Sequence, residues 1–186
     1  MDSRSASATP VNLAWGARVS TEFARHVLGI CAEFGWSGAH ASWLMACMAF
    51  ESAGTFSASV RNAAGSGAVG LIQFMPSTAA DLGATTENLA LLSPESQLTY
   101  VRAYFKRYAR RIASLSDMYM AILLPKYIGT LDSTVLFSGT GASYRQNAGL
   151  DANTDGKITK GEATARVAAM LQRGLETANV AAYTWP

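Results

Sequence analysis

The sequence has no apolar run long enough to cross a membrane, only two cysteines, and almost no surplus of charge. Its longest apolar runs, WLMACMAF from Trp43 and MYMAILL from Met118, fall short of the ~18 residues a span needs and have the size of core helices. Cys31 and Cys47 lie in apolar, helical surroundings and read as buried, reduced thiols rather than a disulfide framework. The opening MDSRSASATPVNLAWG lacks an apolar signal core, so no Sec-type leader is expected and synthesis in a host cytoplasm is. With 15 Lys and Arg against 13 Asp and Glu, the net charge of +2 argues against an obligate nucleic-acid binder.

What is present is a 186-residue chain, 49% apolar and 15% charged, which is enough for one well-cored domain. A single domain over residues 1–186 is expected, mainly α, with residues 1–10 as a flexible Ser/Ala-rich tail. Helical periodicity and caps place helices near 19–34, 38–51, 77–82, 94–113, 116–124 and 161–177. Only GAVGLIQF has strand character, so at most a small β-hairpin is expected. In the helix opened by Ser93 and Pro94, Leu98, Val101, Phe105, Tyr108 and Ile112 form a core stripe. Arg102, Lys106, Arg107, Arg110 and Arg111 fall outside it, a basic face suited to electrostatic contact with an anionic envelope.

One carboxylate is placed against its own interest. Glu51 ends the helix that buries Trp43, Leu44, Cys47 and Met48, before SAG stops it. Apolar neighbours and the negative end of the helix dipole both oppose its ionisation. A carboxyl still protonated near neutral pH is what a general acid requires. Some twenty residues on, RNAAGSGAVGLIQFMPST carries Gly65, Gly67 and Gly70, which permit a tight loop, and Pro76 with Ser77 opens a new helix. There is no Walker or dinucleotide pattern, so phosphate binding is not expected.

Glu51-Ser52, followed by Gly70-Leu71-Ile72-Gln73 and Met75-Pro76-Ser77-Thr78-Ala79, resembles the soluble lytic transglycosylase (SLT) family of peptidoglycan-cleaving enzymes, with its E-S pair and G-L-M-Q-(x)-M-P-x-T-A segment. The resemblance implies a lysozyme-like, goose-type fold. It implies Glu51 as catalytic acid/base, Ser52 orienting the sugar or the glutamate, and Gly70, Leu71 and Gln73 lining the saccharide cleft. It further implies cleavage of the β-1,4 bond between N-acetylmuramic acid and N-acetylglucosamine, closing a 1,6-anhydro ring without water as nucleophile. A hydrolytic muramidase normally needs a second carboxylate, and no obvious partner stands here: Asp81 and Glu87 lie beyond the loop and Asp117 is placed as a helix start. The family's A-Y-N tripeptide is absent. In its place stands SDMYMAILLPKYIG, where Tyr119 and Tyr127 are available and Tyr119 is the candidate substrate contact. This segment looks more like phage-encoded transglycosylase domains, endolysins or virion-associated enzymes that act in the periplasm or cell wall, than like exported bacterial ones.

Downstream, DANTDGKITKGE fills every ligand position of an EF-hand loop: Asp151, Asn153, Asp155, Lys157 through its carbonyl, Thr159 and Glu162, with Gly156 at the sharp turn and Ile158 at the apolar eighth position. A structural Ca2+ in a loop packed on the same domain is expected, and no cofactor for catalysis. Three functions stay open on sequence: a peptidoglycan lytic transglycosylase, a hydrolytic muramidase on the same fold, and a non-catalytic wall-binding or virion structural module. The protein is expected to act as a monomer on glycan strands.

Overall fold

The central helix, α2 (Gly38–Glu51), is apolar on every side, and the rest of the molecule is arranged to cover it. The computed structural model describes residues 9–62 and 65–186. Around α2 pack α1 (Thr21–Glu33), α6 (Leu115–Leu123), α8 (Lys160–Gly174) and strand β1 (Pro10–Leu13). Ala41, Leu44 to Ala49 and Ser42 of α2 are all buried in this sheath. Short helices α3 (Pro76–Asp81) and α4 (Thr86–Ala90) lead into α5 (Pro94–Lys106), which lies against α1, and α7 (Ala142–Asn147) precedes the acidic loop. One core cluster runs from Leu13 through α1, α2, α5 and α6 to Val167. No helix of the described residues is long and apolar enough to cross a membrane.

The strands join segments distant in sequence. β1 pairs antiparallel with β4 (Ala181–Thr184), Val11 opposite Tyr183, and the Trp185 amide donates to the Thr9 carbonyl. Residues 1–8 of the tail lie outside the described residues. β2 (Val135–Ser138) pairs with β3 (Lys157–Thr159) across a bulge and brackets the loop from Asp151. Trp15 locks the first strand to α8. Its indole donates to the Met170 carbonyl at 2.9 Å, and its ring lies where a side chain on Gly174 would sit, 2.4 Å from a Cβ built there.

The structure departs from the sequence expectations in three places. GAVGLIQF forms no strand ladder: Val69 makes only isolated bridges, to Arg61 and Phe74, within a folded-back loop. The helix from Pro94 stops at Lys106 and is followed by a single 3-10 turn, Ala109–Arg111. Continued, it would stack Lys106 on Arg110 and Arg107 on Arg111 at i,i+4 spacing, a like-charge arrangement that disfavours helix. Breaking the helix there still lets Ile112 turn into the core. Helices α4 and α7 were not foreseen, being too short to show periodicity.

Candidate active site

Glu51 is the last residue of α2 and is half-buried. Among the described residues its carboxyl has no hydrogen-bond partner and no ion pair. Enclosure by the surrounding atoms pushes its pKa up to about 7, so the acid form persists to neutral pH. The helix dipole at this end acts in the same direction. Burial also pushes the thiols of Cys31 and Cys47 up, to about 12 for Cys31, which leaves both inert beneath the site.

The chain turns sharply after Glu51, with Ala53, Gly54 and Phe56 all at positive φ. Ser52 fastens this turn. Fully buried, its hydroxyl donates to the Met48 carbonyl at 2.6 Å and accepts from the Phe56 amide at 3.0 Å. Both capacities of the side chain are thus used on the backbone, and Ser52 sits beneath Glu51 rather than facing a sugar. Phe56, brought inward by the turn, packs against Phe23 and Trp15.

The glycine-rich loop is closed by reciprocal amide-to-carbonyl bonds between Val69 and Phe74, at 3.1 and 2.8 Å. Gly70, at φ +81, and Leu71 both belong to the interior: they are held by Gln97 of α5 and are fully or nearly covered. Gln97, itself fully buried, accepts from the Leu71 amide at 2.7 Å and donates to the carbonyls of Leu89 and Ala58 at 2.9 and 3.1 Å. Sequence reasoning missed this residue, an uncharged side chain in a first helical turn with no spacing to mark it. Gln73, half-buried at φ +53, donates its amide to the Gly70 and Val60 carbonyls at 3.1 and 3.2 Å. It lines a small cavity of about 40 Å³ with Ile72, Met75, Thr78 and Ile122.

Helix α6 is the wall shared by both motif segments. Tyr119 is buried edge-on against Phe50, ring centroids 5.6 Å apart, and its hydroxyl is held in the neutral form chiefly by burial. Three residues on, along the same face, Ile122 reaches the Gln73 cavity. Of the three carboxylates considered as partners for Glu51, Asp81 and Glu87 are exposed on α3 and α4. Asp117 is committed to Lys160, 2.7 Å away. Tyr127 lies beneath the Lys126 ammonium.

The loop residues 151–162 form a separate constellation between β2 and α8. Asp151 Oδ2 accepts from the Gly156 amide at 3.0 Å and the Tyr144 hydroxyl at 2.6 Å. Asn153 and Asp155 accept from the amides of Asp155 and Lys157, each at 2.9 Å. Glu162 Oε2 accepts from the Thr159 amide and hydroxyl at 2.9 and 2.8 Å, capping α8.

A helical body with one protonated, unpartnered carboxyl at the end of its central helix belongs with acid-catalysed bond cleavage. Residues 36–123 match the family model of the transglycosylase SLT domain, a little under half of the chain. The match carries the lysozyme-like fold and supports peptidoglycan lytic transglycosylase activity in general terms. Comparison with curated proteins and with solved structures returned no match.

Proposed function

We propose that the protein cleaves the β-1,4 bond between N-acetylmuramic acid and N-acetylglucosamine, with Glu51 as both acid and base. The observation that carries this is the Glu51 carboxyl: protonated up to about pH 7, without a protein partner, at the end of the matched helix. Glu51 gives its proton to the glycosidic oxygen as the C1–O4 bond breaks. The resulting carboxylate removes the proton of the muramic acid 6-hydroxyl, O6 bonds to C1, and Glu51 ends protonated as it began. No second carboxylate is needed, which agrees with the commitment of Asp117 to Lys160.

The segment from Ser116 to Gly129, which replaces the family's A-Y-N tripeptide, favours a phage endolysin or virion-associated enzyme, made in a host cytoplasm, working as a monomer at the wall. Contact with the anionic envelope is assigned to an open groove of about 650 Å³ lined by Lys106, Arg107, Arg110 and Arg111 around Phe34. Part of the basic face does not contribute, because Arg102 is paired with Glu33 at 2.5 Å.

The test is mass spectrometry of purified sacculi digested by the protein and by Glu51→Gln. Anhydro-muropeptides from the wild type alone are expected, with the variant losing roughly 10²–10⁴-fold, the usual worth of general acid catalysis. Reducing ends instead would make the enzyme a hydrolytic muramidase. Intact sacculi would make it a non-catalytic wall-binding or virion structural module.

A further inference from the structure

Among the described residues, two buried side-chain oxygens have no hydrogen-bond partner: Asp151 Oδ1 and Glu162 Oε1. They belong to the first and last ligand positions of one twelve-residue loop. A buried polar atom left unsatisfied is costly, and buried polar atoms are otherwise almost always paired. Asp151 is only 8% exposed, so water does not supply the missing bond freely. The Tyr144 hydroxyl donates to the other oxygen of Asp151 at 2.6 Å, which leaves Oδ1 as the unpaired one.

The donor set decides what belongs there. Four side chains with carboxylate or amide oxygens, one hydroxyl and the Lys157 carbonyl supply hard oxygens and no nitrogen or sulfur, which fits Ca2+ and not zinc. Two left-handed positions shape the loop, Thr154 at φ +57 and Gly156 at φ +80. No three acidic, His or Cys side chains among the described residues stand close enough to hold an ion by themselves. Asp155 is turned to the Lys157 amide and Glu162 Oε2 to Thr159, so holding an ion requires those two side chains to turn.

The loop is also tied to the active-site wall. Lys160, immediately after Thr159, is 1% exposed, and its ammonium donates to Asp117 Oδ1 at 2.7 Å and to the Thr130 carbonyl at 2.8 Å. Asp117 stands in the first turn of α6, two residues before Tyr119. It accepts from the Gly129 amide at 2.7 Å and the Ala113 amide at 3.3 Å as well. Burial raises the pKa of Asp117, but the Lys160 ammonium and those amides outweigh it and hold the carboxyl below its usual value. The amides of Lys160 and Gly161 donate to the Thr134 and Asp132 carbonyls at 2.9 and 2.8 Å, so the start of α8 moves as one piece with the 129–134 segment.

We propose that residues 151–162 bind one Ca2+, and that Lys160 and Asp117 carry its occupancy to α6, the wall beside Glu51. The first half is independent of the enzymatic reading; the second rests on it only in calling α6 an active-site wall. Opening the loop displaces Lys160, and a buried ion pair that loses one partner leaves the other charge stranded, so α6 loosens at its first turn.

The test needs no turnover, so it can fail without touching the transglycosylase reading. The chelator-treated full chain is titrated with CaCl2 in a calorimeter, and amide hydrogen exchange is followed with and without Ca2+, using α1 as internal reference. One ion per chain is expected. α6 amides should gain protection over α1 amides by at least about tenfold, within the usual range of coupling between sites. In Lys160→Met with Asp117→Asn, whose one carbonyl oxygen keeps the acceptor for the shorter bond from Gly129, Ca2+ should still bind while the extra protection at α6 disappears. If that pair does not fold, Lys160→Arg, with the charge kept and the geometry changed, takes its place. No heat of binding overturns the site. Equal protection of α6 and α1, or a variant that keeps the difference, overturns the coupling.

Discussion

Gln97 fills the space that a side chain on Gly70 would need: a Cβ built there lies 2.2 Å from Gln97 Oε1 and 2.5 Å from Nε2. The absence of one side chain therefore makes room for another, and that carboxamide ties two loops and α4 together through Leu71, Ala58 and Leu89. The glycine of the cleft motif is kept for α5 as much as for a sugar.

Gly70→Ala is expected to destabilise strongly, because a left-handed backbone costs an L-residue roughly 1–2 kcal/mol before the clash is counted. Gln97→Leu keeps the bulk and strands the buried Leu71 amide, at about 1–3 kcal/mol. Urea unfolding checks both. A Gln97→Leu loss below ~0.5 kcal/mol would show that the carboxamide is not what holds the loop.

Glu51 sets an alkaline limit on activity. With its pKa near 7, lysis should fall tenfold per pH unit above about 7 as the acid form is lost, read from kcat/KM against pH. The stability sign follows from the same shift. The folded pKa lies above the unfolded value, so the favourable contribution is fully present below about 4.5 and is lost as pH rises through about 7. Glu51→Gln removes that loss. Its melting temperature should exceed that of the wild type at pH 8 and match it at pH 4; the reverse order would show that the carboxylate is stabilised by the fold.

Gln73→Ala is expected to weaken the loop as well as the cleft. Its amide nitrogen holds the Val60 and Gly70 carbonyls, so about 0.5–1.5 kcal/mol of stability should go with it. Turnover per folded molecule should also drop, since the side chain lines the cavity with Ile122. Full turnover after correction for the unfolded fraction would assign Gln73 to the loop alone.

The groove around Phe34 should be electrostatic in its action. Arg110→Gln with Arg111→Gln should weaken pelleting with intact sacculi at low salt and leave hydrolysis or transfer on short soluble glycans unchanged. Equal pelleting by variant and wild type at low ionic strength would remove the groove from envelope contact.

The helices that hold the site were legible because their signals are local. α2 has its apolar run and Glu51 its place at the end of it, and the Ser93-Pro94 start of α5 follows directly from capping chemistry. What stayed hidden depends on partners far along the chain. Ser52 could be aligned with a motif, but only the packed turn shows its hydroxyl spent on Met48 and Phe56. Gln97 and the Lys160–Asp117 pair are separated from what they bind by long stretches of sequence, and neither has a spacing that marks it. GAVGLIQF reads as a strand because β-branched and apolar residues alternate with glycine, yet the left-handed Gly70 and Gln73 fold it back on itself.

The pairing of Val11 with Tyr183 has a kinetic meaning. The two strands are far apart along the chain, and closing so long a loop is entropically slow. Until it closes, no paired strand holds the Trp15 indole against the Met170 carbonyl, and α8 relies on its packing and on the Lys160–Asp117 pair. Because β1 also packs on α2, this pairing is a slow-closing seam over the central helix.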